Sequence, residues 1–259
     1  MDSLTPETPP DLAAITPPRR HVWKFWGTAL WGVFAFAALF AGQALVLVYE
    51  VLRNHGAADL AETVRTAAGS GMTISLSVIM GLPTVVAALW LAIRFTDTSF
   101  ADYLALRRTS WKNLVIGIVG LVAVIGIWEV LSRLTGRESE PGFMVDVMKS
   151  ARADGALLVL TFAFCVAAPV SEELFARGFL YRGWSETWLG PVGAIVLSSL
   201  VWTGLHLQYD WFFFGEVFTL GLLFGYLRYR SGSIWLTIVL HGLNNLAAVV
   251  QTILLAGQS

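Results

Sequence analysis

The chain has 259 residues, 56% of them apolar and only 14% charged, with a net charge of −1. A soluble domain carries roughly 25% charged residues, so 35 charged side chains (17 Lys and Arg, 18 Asp and Glu) cannot coat so much apolar chain. The near-zero charge gives no field for nucleic acid, and one cysteine, Cys165, excludes a disulfide framework. The apolar residues fall in long runs nearly free of charge, which read as membrane spans. The composition therefore predicts an all-α, polytopic membrane protein.

Residues 1–18 hold five of the nine prolines and three acids, a composition that stays disordered. Arg19, Arg20 and Lys24 follow, so residues 1–24 read as a Pro-rich cytoplasmic tail. Residues 25–49 carry no charge and, at ~1.5 Å per residue, exceed the ~30 Å hydrocarbon core. That run is too long for a signal peptide, and no cleavage site follows it. Residues 66–93 form a second charge-free run with Pro83 as a predicted kink, and 113–132 a third that carries only Glu129. Residues 143–153 alternate apolar groups with Asp146, Lys149 and Arg152, the pattern of an interfacial helix. Further spans are predicted at 155–181, 187–209, 211–227 and 231–255, giving seven, or eight if 143–153 also crosses. Residues 25–154 thus supply the first three spans, and 155–259 the remainder. With a cytoplasmic N-terminus, Lys and Arg in the connecting segments number ten inside and six outside, so the positive-inside rule favours that orientation.

An ionisable side chain at a helix centre costs ~2.5–3.5 kcal/mol on insertion scales, so each one within a span asks for a reason. Glu173 and Arg177 are four apart with the acid first, the favourable order for a helical ion pair. Glu172 is turned ~100° away and lacks that partner, which leaves it available as a general acid or base. The competing reading is an ion pair kept for packing alone. Pro169, three residues before Glu172, can open the backbone there. Trp202 and His206 share one predicted helix face, as do His241 and Asn245. Two histidines and a glutamate match zinc's ligand types, but no H-E-x-x-H pattern is present, so no cofactor is expected. His241 and Asn245 both carry N–H donors suited to an oxyanion. Glu129 and Glu216 lie near predicted span ends, where a carboxylate reaches water. Cys165 reads as a small apolar filler.

The segments SEELFARGF, WTGLH and HGLNN, each inside a predicted span, resemble the CAAX-protease and bacteriocin-processing (Abi) family of intramembrane proteases. Its motifs, EExxxR, an aromatic-xxx-His and HxxxN, match Glu172, Glu173 and Arg177, then Trp202 and His206, then His241 and Asn245. The resemblance implies a glutamate-dependent endopeptidase of a prokaryotic cell membrane, acting on a membrane-associated or lipid-modified protein or peptide. Glu172 and His206 would then activate water, His241 and Asn245 would stabilise the oxyanion, and Glu173, Arg177 and Trp202 would organise the site. Two departures stand out: Trp202 sits where phenylalanine is commoner, and seven spans are counted where some relatives have eight. A non-catalytic membrane scaffold or immunity protein is the alternative from another class. A proton-coupled transporter is a weaker one, because no repeat symmetry between halves is visible.

Overall fold

A computed structural model describes residues 22–54, 59–137 and 142–256, with side chains to Leu254. The expected disorder of the Pro-rich tail falls on residues 1–21, outside the described residues. Among the described residues there are ten helices and no strand. They are α1 (Phe25–Arg53), α2 (Leu60–Gly69), α3 (Gly71–Arg94), α4 (Phe100–Tyr103) and α5 (Trp111–Thr135). After them come α6 (Gly142–Ala153), α7 (Leu157–Ser185), α8 (Gly190–Thr203), α9 (Trp211–Ser231) and α10 (Ile234–Ala256). Five of them, α1, α3, α5, α7 and α10, are long and apolar enough to cross a membrane. The protein is an integral, multi-pass, all-α membrane protein.

α1 turns a seam of mostly small residues inward: Thr28, Gly32, Ala35, Leu39 and Gly42 are buried at alternating four- and three-residue steps. Small residues matter here because lipid gives no hydrophobic drive to helix pairing, so close backbone approach has to supply the contact. A Cβ on Gly42 would stand 2.7 Å from the Met80 carbonyl of α3, and one on Gly32 would stand 2.7 Å from Leu180 of α7. The indole of Trp23 donates to Ala92 O (3.0 Å), that of Trp184 to Phe25 O (3.2 Å), and the Ile234 amide to Ala105 O (3.0 Å). These bonds gather the start of α1 and α10 and the end of α3 and α7 at one end of the bundle, called here the near end.

Of the seven expected spans, 187–209 (α8) and 211–227 (α9) are not among these five, and 66–93 differs in its bounds. Residues 66–93 are not one helix: Thr66–Gly69 closes α2, and the chain breaks at Ser70, the extended N-cap of α3. Ser70 Oγ accepts from Thr73 N and donates to Asp154 Oδ2 (2.9 Å), which also accepts from Met72 N (3.2 Å), while Ser150 Oγ accepts from Gly71 N (2.9 Å). The orphan amides that every helix start leaves are thus met by the end of α6. Residues 187–209 also fall short. α8 has 14 residues, ~21 Å at 1.5 Å each, and stops at Thr203 before reaching the far side. α6 is helical as expected, burying Met144, Val147, Met148 and Ala151 on one face, and its 12 residues are too few to span.

Candidate active site

α7 carries the first motif, and its backbone is not regular. It contains two π-helical stretches, Ala163–Ala167 and Leu174–Leu180, in which the amide bonds five residues back rather than four. The Ala168 amide bonds Ala163 O in this way. The next amide in that register would serve Phe164 O, but residue 169 is proline and has none. The freed Phe164 carbonyl accepts instead from Nδ2 of Asn245 on α10 (2.8 Å). One turn earlier on α10, a Cβ on Gly242 would lie 2.7 Å from the Cys165 carbonyl, so only glycine allows this approach. The backbone opening expected at Pro169 is therefore where α10 docks, and that docking sets the height of His241 and Asn245 beside Glu172.

Glu173 and Arg177 form the ion pair that their spacing predicts, with Nη1 to Oε1 at 3.0 Å and both side chains fully buried. Arg177 Nη2 also donates to Gly221 O of α9 (3.2 Å). The guanidinium lies flat over the Trp202 ring, 4.3 Å from its centroid. The same Oε1 of Glu173 takes His241 Nδ1 at 3.1 Å. With Arg177 holding Glu173 as a carboxylate, His241 Nδ1 is the donor, and Nε2 faces Glu172 Oε2 at 3.9 Å. Glu172 has a partner the sequence did not reveal: the Trp202 indole N–H donates to Oε2 at 2.6 Å. Trp202 also meets His241 and His206 edge-on, with ring centroids 5.3 and 5.1 Å away.

His206 lies beyond the end of α8, in the turn after Gly204, rather than on a helix. It still turns back on Trp202: its Nδ1 sits 3.0 Å from Trp202 O. A carbonyl can only accept, so Nδ1 carries the proton and Nε2 keeps a lone pair. Irregular backbone at membrane depth is tolerated where it lines a cavity, and it does so here. A cavity of about 490 Å³ is lined by Glu172, Trp202, His206, His241 and Asn245 together. Glu129 and Glu216 line the same cavity, deeper in the protein than their positions near span ends suggest, and Glu129 is also ion-paired with Arg133 (2.7 Å). Among the described residues no group of three or more His, Cys, Asp or Glu side chains is gathered to hold a metal ion.

The donor expectation needs one correction. His241 spends Nδ1–H on Glu173, so it can donate into the cavity only through Nε2, and only when doubly protonated. Asn245 spends one of its two Nδ2 hydrogens on Phe164 O and keeps the other, while its Oδ1 accepts from Asn244 (3.3 Å). Phe164, Trp202 and Gly242 thus position the site as much as the ionisable groups do. The family resemblance points to Trp202 as an organiser and the sequence to an opening at Pro169, but to neither Phe164 nor Gly242.

An acid–imidazole–amide cluster lining a cavity among apolar helices defines a membrane protein with polar groups gathered in its interior. Residues 154–247, which contain all seven of the motif residues, are similar to the family described as Type II CAAX prenyl endopeptidase Rce1-like. The chain is also similar to the "Uncharacterized 24.3 kDa protein" of Escherichia coli, 30% identical over 129 residues, 48% of this chain and 58% of that one. A second relative is "UPF0177 protein YbdI" of Lactococcus lactis subsp. lactis (strain IL1403), 32% identical over 90 residues, 35% of this chain and 47% of that one. The chain therefore spans about half the length of the curated relatives it matches. No solved structure matches the chain.

Proposed function

We propose that the protein is an intramembrane endopeptidase that hydrolyses a peptide bond of a membrane-associated or lipid-modified protein, without a covalent intermediate. The observation that carries this reading is the convergence of Glu172, His206, His241 and Asn245 on one cavity of about 490 Å³. A water between Glu172 and the Nε2 lone pair of His206 gives up a proton as its oxygen attacks the carbonyl carbon. The carbonyl oxygen takes the negative charge and is met by Nε2–H of doubly protonated His241 and by the free amide hydrogen of Asn245. On collapse the carbon–nitrogen bond breaks, and the proton taken from water passes to the leaving amine. A carboxylate base contributes ~10²–10⁴-fold, and each oxyanion donor ~2.7–4 kcal/mol, so this set would accelerate amide hydrolysis substantially without a Lewis acid.

The test is detergent-purified protein with a library of membrane-anchored peptides, assayed as wild type and as Glu172→Gln, with and without a chelator. Cleavage that falls by at least ~10²-fold in Glu172→Gln and survives chelation is the expected result. Activity lost on chelation and restored by zinc would make Glu172 a ligand rather than a base. Activity unchanged in Glu172→Gln would remove this site from the chemistry. Stable capture of a membrane protein with no cleavage of any peptide would favour the scaffold.

A further inference from the structure

Arg228, in the last turn of α9, is a second buried arginine, only 6% exposed. Arg177 shows how this fold treats such a group: a carboxylate at 3.0 Å and a carbonyl at 3.2 Å meet its guanidinium. Arg228 has neither. Among the described residues its guanidinium meets the face of Tyr181, with its carbon 5.5 Å from the ring centroid, and its Nε is buried without a hydrogen bond. Asp102 pairs with Arg107 (3.1 Å) and Glu186 with Arg182 (2.6 Å). Arg182 gives Glu186 its outer nitrogen and leaves its own Nε buried and unbonded. Arg228 feels the positive charge of both Arg182 and Arg107. The two Nε groups are therefore buried among like charges, and among the described residues no anion meets either of them. The carbonyl end of α9 supplies only a partial charge.

Such an arrangement is stable when an anion completes it, and paired guanidinium edges match the oxygens of a phosphate. The position in the bundle indicates where that phosphate comes from. Arg228 sits at the near end, where Trp26, Trp111, Trp188 and Trp235 are all exposed at the starts of α1, α5 and α10 and just before α8. Exposed tryptophans in such a ring mark headgroup depth. We propose that Arg228 and Arg182 form a binding site for the phosphate of an anionic phospholipid in the near-end leaflet. The site lies apart from the polar chamber and does not depend on the peptidase reading.

The full chain in detergent is titrated with phosphatidylglycerol or phosphatidylcholine and followed by native mass spectrometry, with inorganic phosphate as a competitor. Phosphatidylglycerol should bind about tenfold more tightly than phosphatidylcholine, the worth of one charged hydrogen bond. Arg228→Gln and Arg182→Gln should each erase that preference, while Arg230→Gln, an exposed arginine at the same end, should keep it. If Arg228→Gln does not fold, Arg182→Gln carries the test alone, because its side chain is 35% exposed. Equal binding of the two lipids, a preference that persists in Arg182→Gln, or equal loss in Arg230→Gln would each overturn the site. Displacement of phosphatidylglycerol by millimolar inorganic phosphate would assign it to a free anion and overturn the lipid.

Discussion

Trp202→Phe isolates one bond at the centre of the chamber. It removes the indole N–H that holds Glu172 Oε2 at 2.6 Å, yet keeps an aromatic ring beneath Arg177 and beside His241. A hydrogen bond to a charged group is worth ~1.5–3 kcal/mol, and a partner left buried without it costs a similar amount. The indole engages Oε2, so in the proposed mechanism Oε1 is the oxygen left for the water. Once released, the carboxylate can close the 3.9 Å gap to His241 Nε2 by about 1 Å and pair there, which would withdraw both groups from the proposed chemistry. The expected result is a fall in kcat of about tenfold with KM little changed, since only the base is displaced. A stability cycle of Trp202→Phe with Glu172→Ala reads the same bond without any substrate and should give a coupling of ~1–2 kcal/mol. A kcat within twofold of wild type, together with coupling under ~0.5 kcal/mol, would refute the role given to the indole.

Arg177→Met leaves Glu173 buried without its full charge partner, against His241 and Thr237 alone among the described residues, and should cost ~3–5 kcal/mol, read as loss of monodisperse protein and a lower Tm in detergent. Gly242→Ala drives a Cβ into the Cys165 carbonyl at 2.7 Å, so α10 must shift from α7, carrying His241 and Asn245 with it. Activity should fall ~10²-fold, as a displacement of about 1 Å does, while the protein still folds. Pro169→Ala restores an amide that competes with Asn245 for Phe164 O. Activity should drop about tenfold with no loss of Tm, and wild-type activity in this variant would show that the freed carbonyl does not position Asn245.

What the sequence made legible was whatever membrane burial makes expensive. Glu172, Glu173, Arg177, His206 and His241 stood out because a charged or titratable group has no ordinary place in an apolar run. The Glu173–Arg177 pair could be written down in advance because a four-residue spacing fixes it within one helix. What failed was anything set by a distant partner. The break at Ser70 depends on Asp154 and Ser150, about eighty residues away, so 66–93 looked like one span. The early end of α8 put His206 in a turn, although the i,i+4 neighbour expected on a helix face, Trp202, still holds it through a backbone carbonyl. The bond from Trp202 to Glu172 joins two helices, and no spacing within either one encodes it.

The π-helical turns show why one helix needs so irregular a path. In a regular α-helix Pro169 would instead free the carbonyl four residues back, that of Cys165, one residue out of register with Asn245. Among apolar helices in lipid, van der Waals contact alone fixes register weakly. A proline in a π-helical register strips one carbonyl of its donor, and a buried orphan carbonyl is costly until something meets it. Asn245 meets it at 2.8 Å, and Gly242 lets the backbones close to the distance that this bond needs. The unmet carbonyl on α7 therefore acts as a register mark for α10, with His241 one turn from the mark and Glu172 eight residues along α7 from it. Read this way, the third motif requires its asparagine for position before chemistry. A substitution there should misplace His241 as well as remove a donor, and its effect should exceed that of losing either role alone.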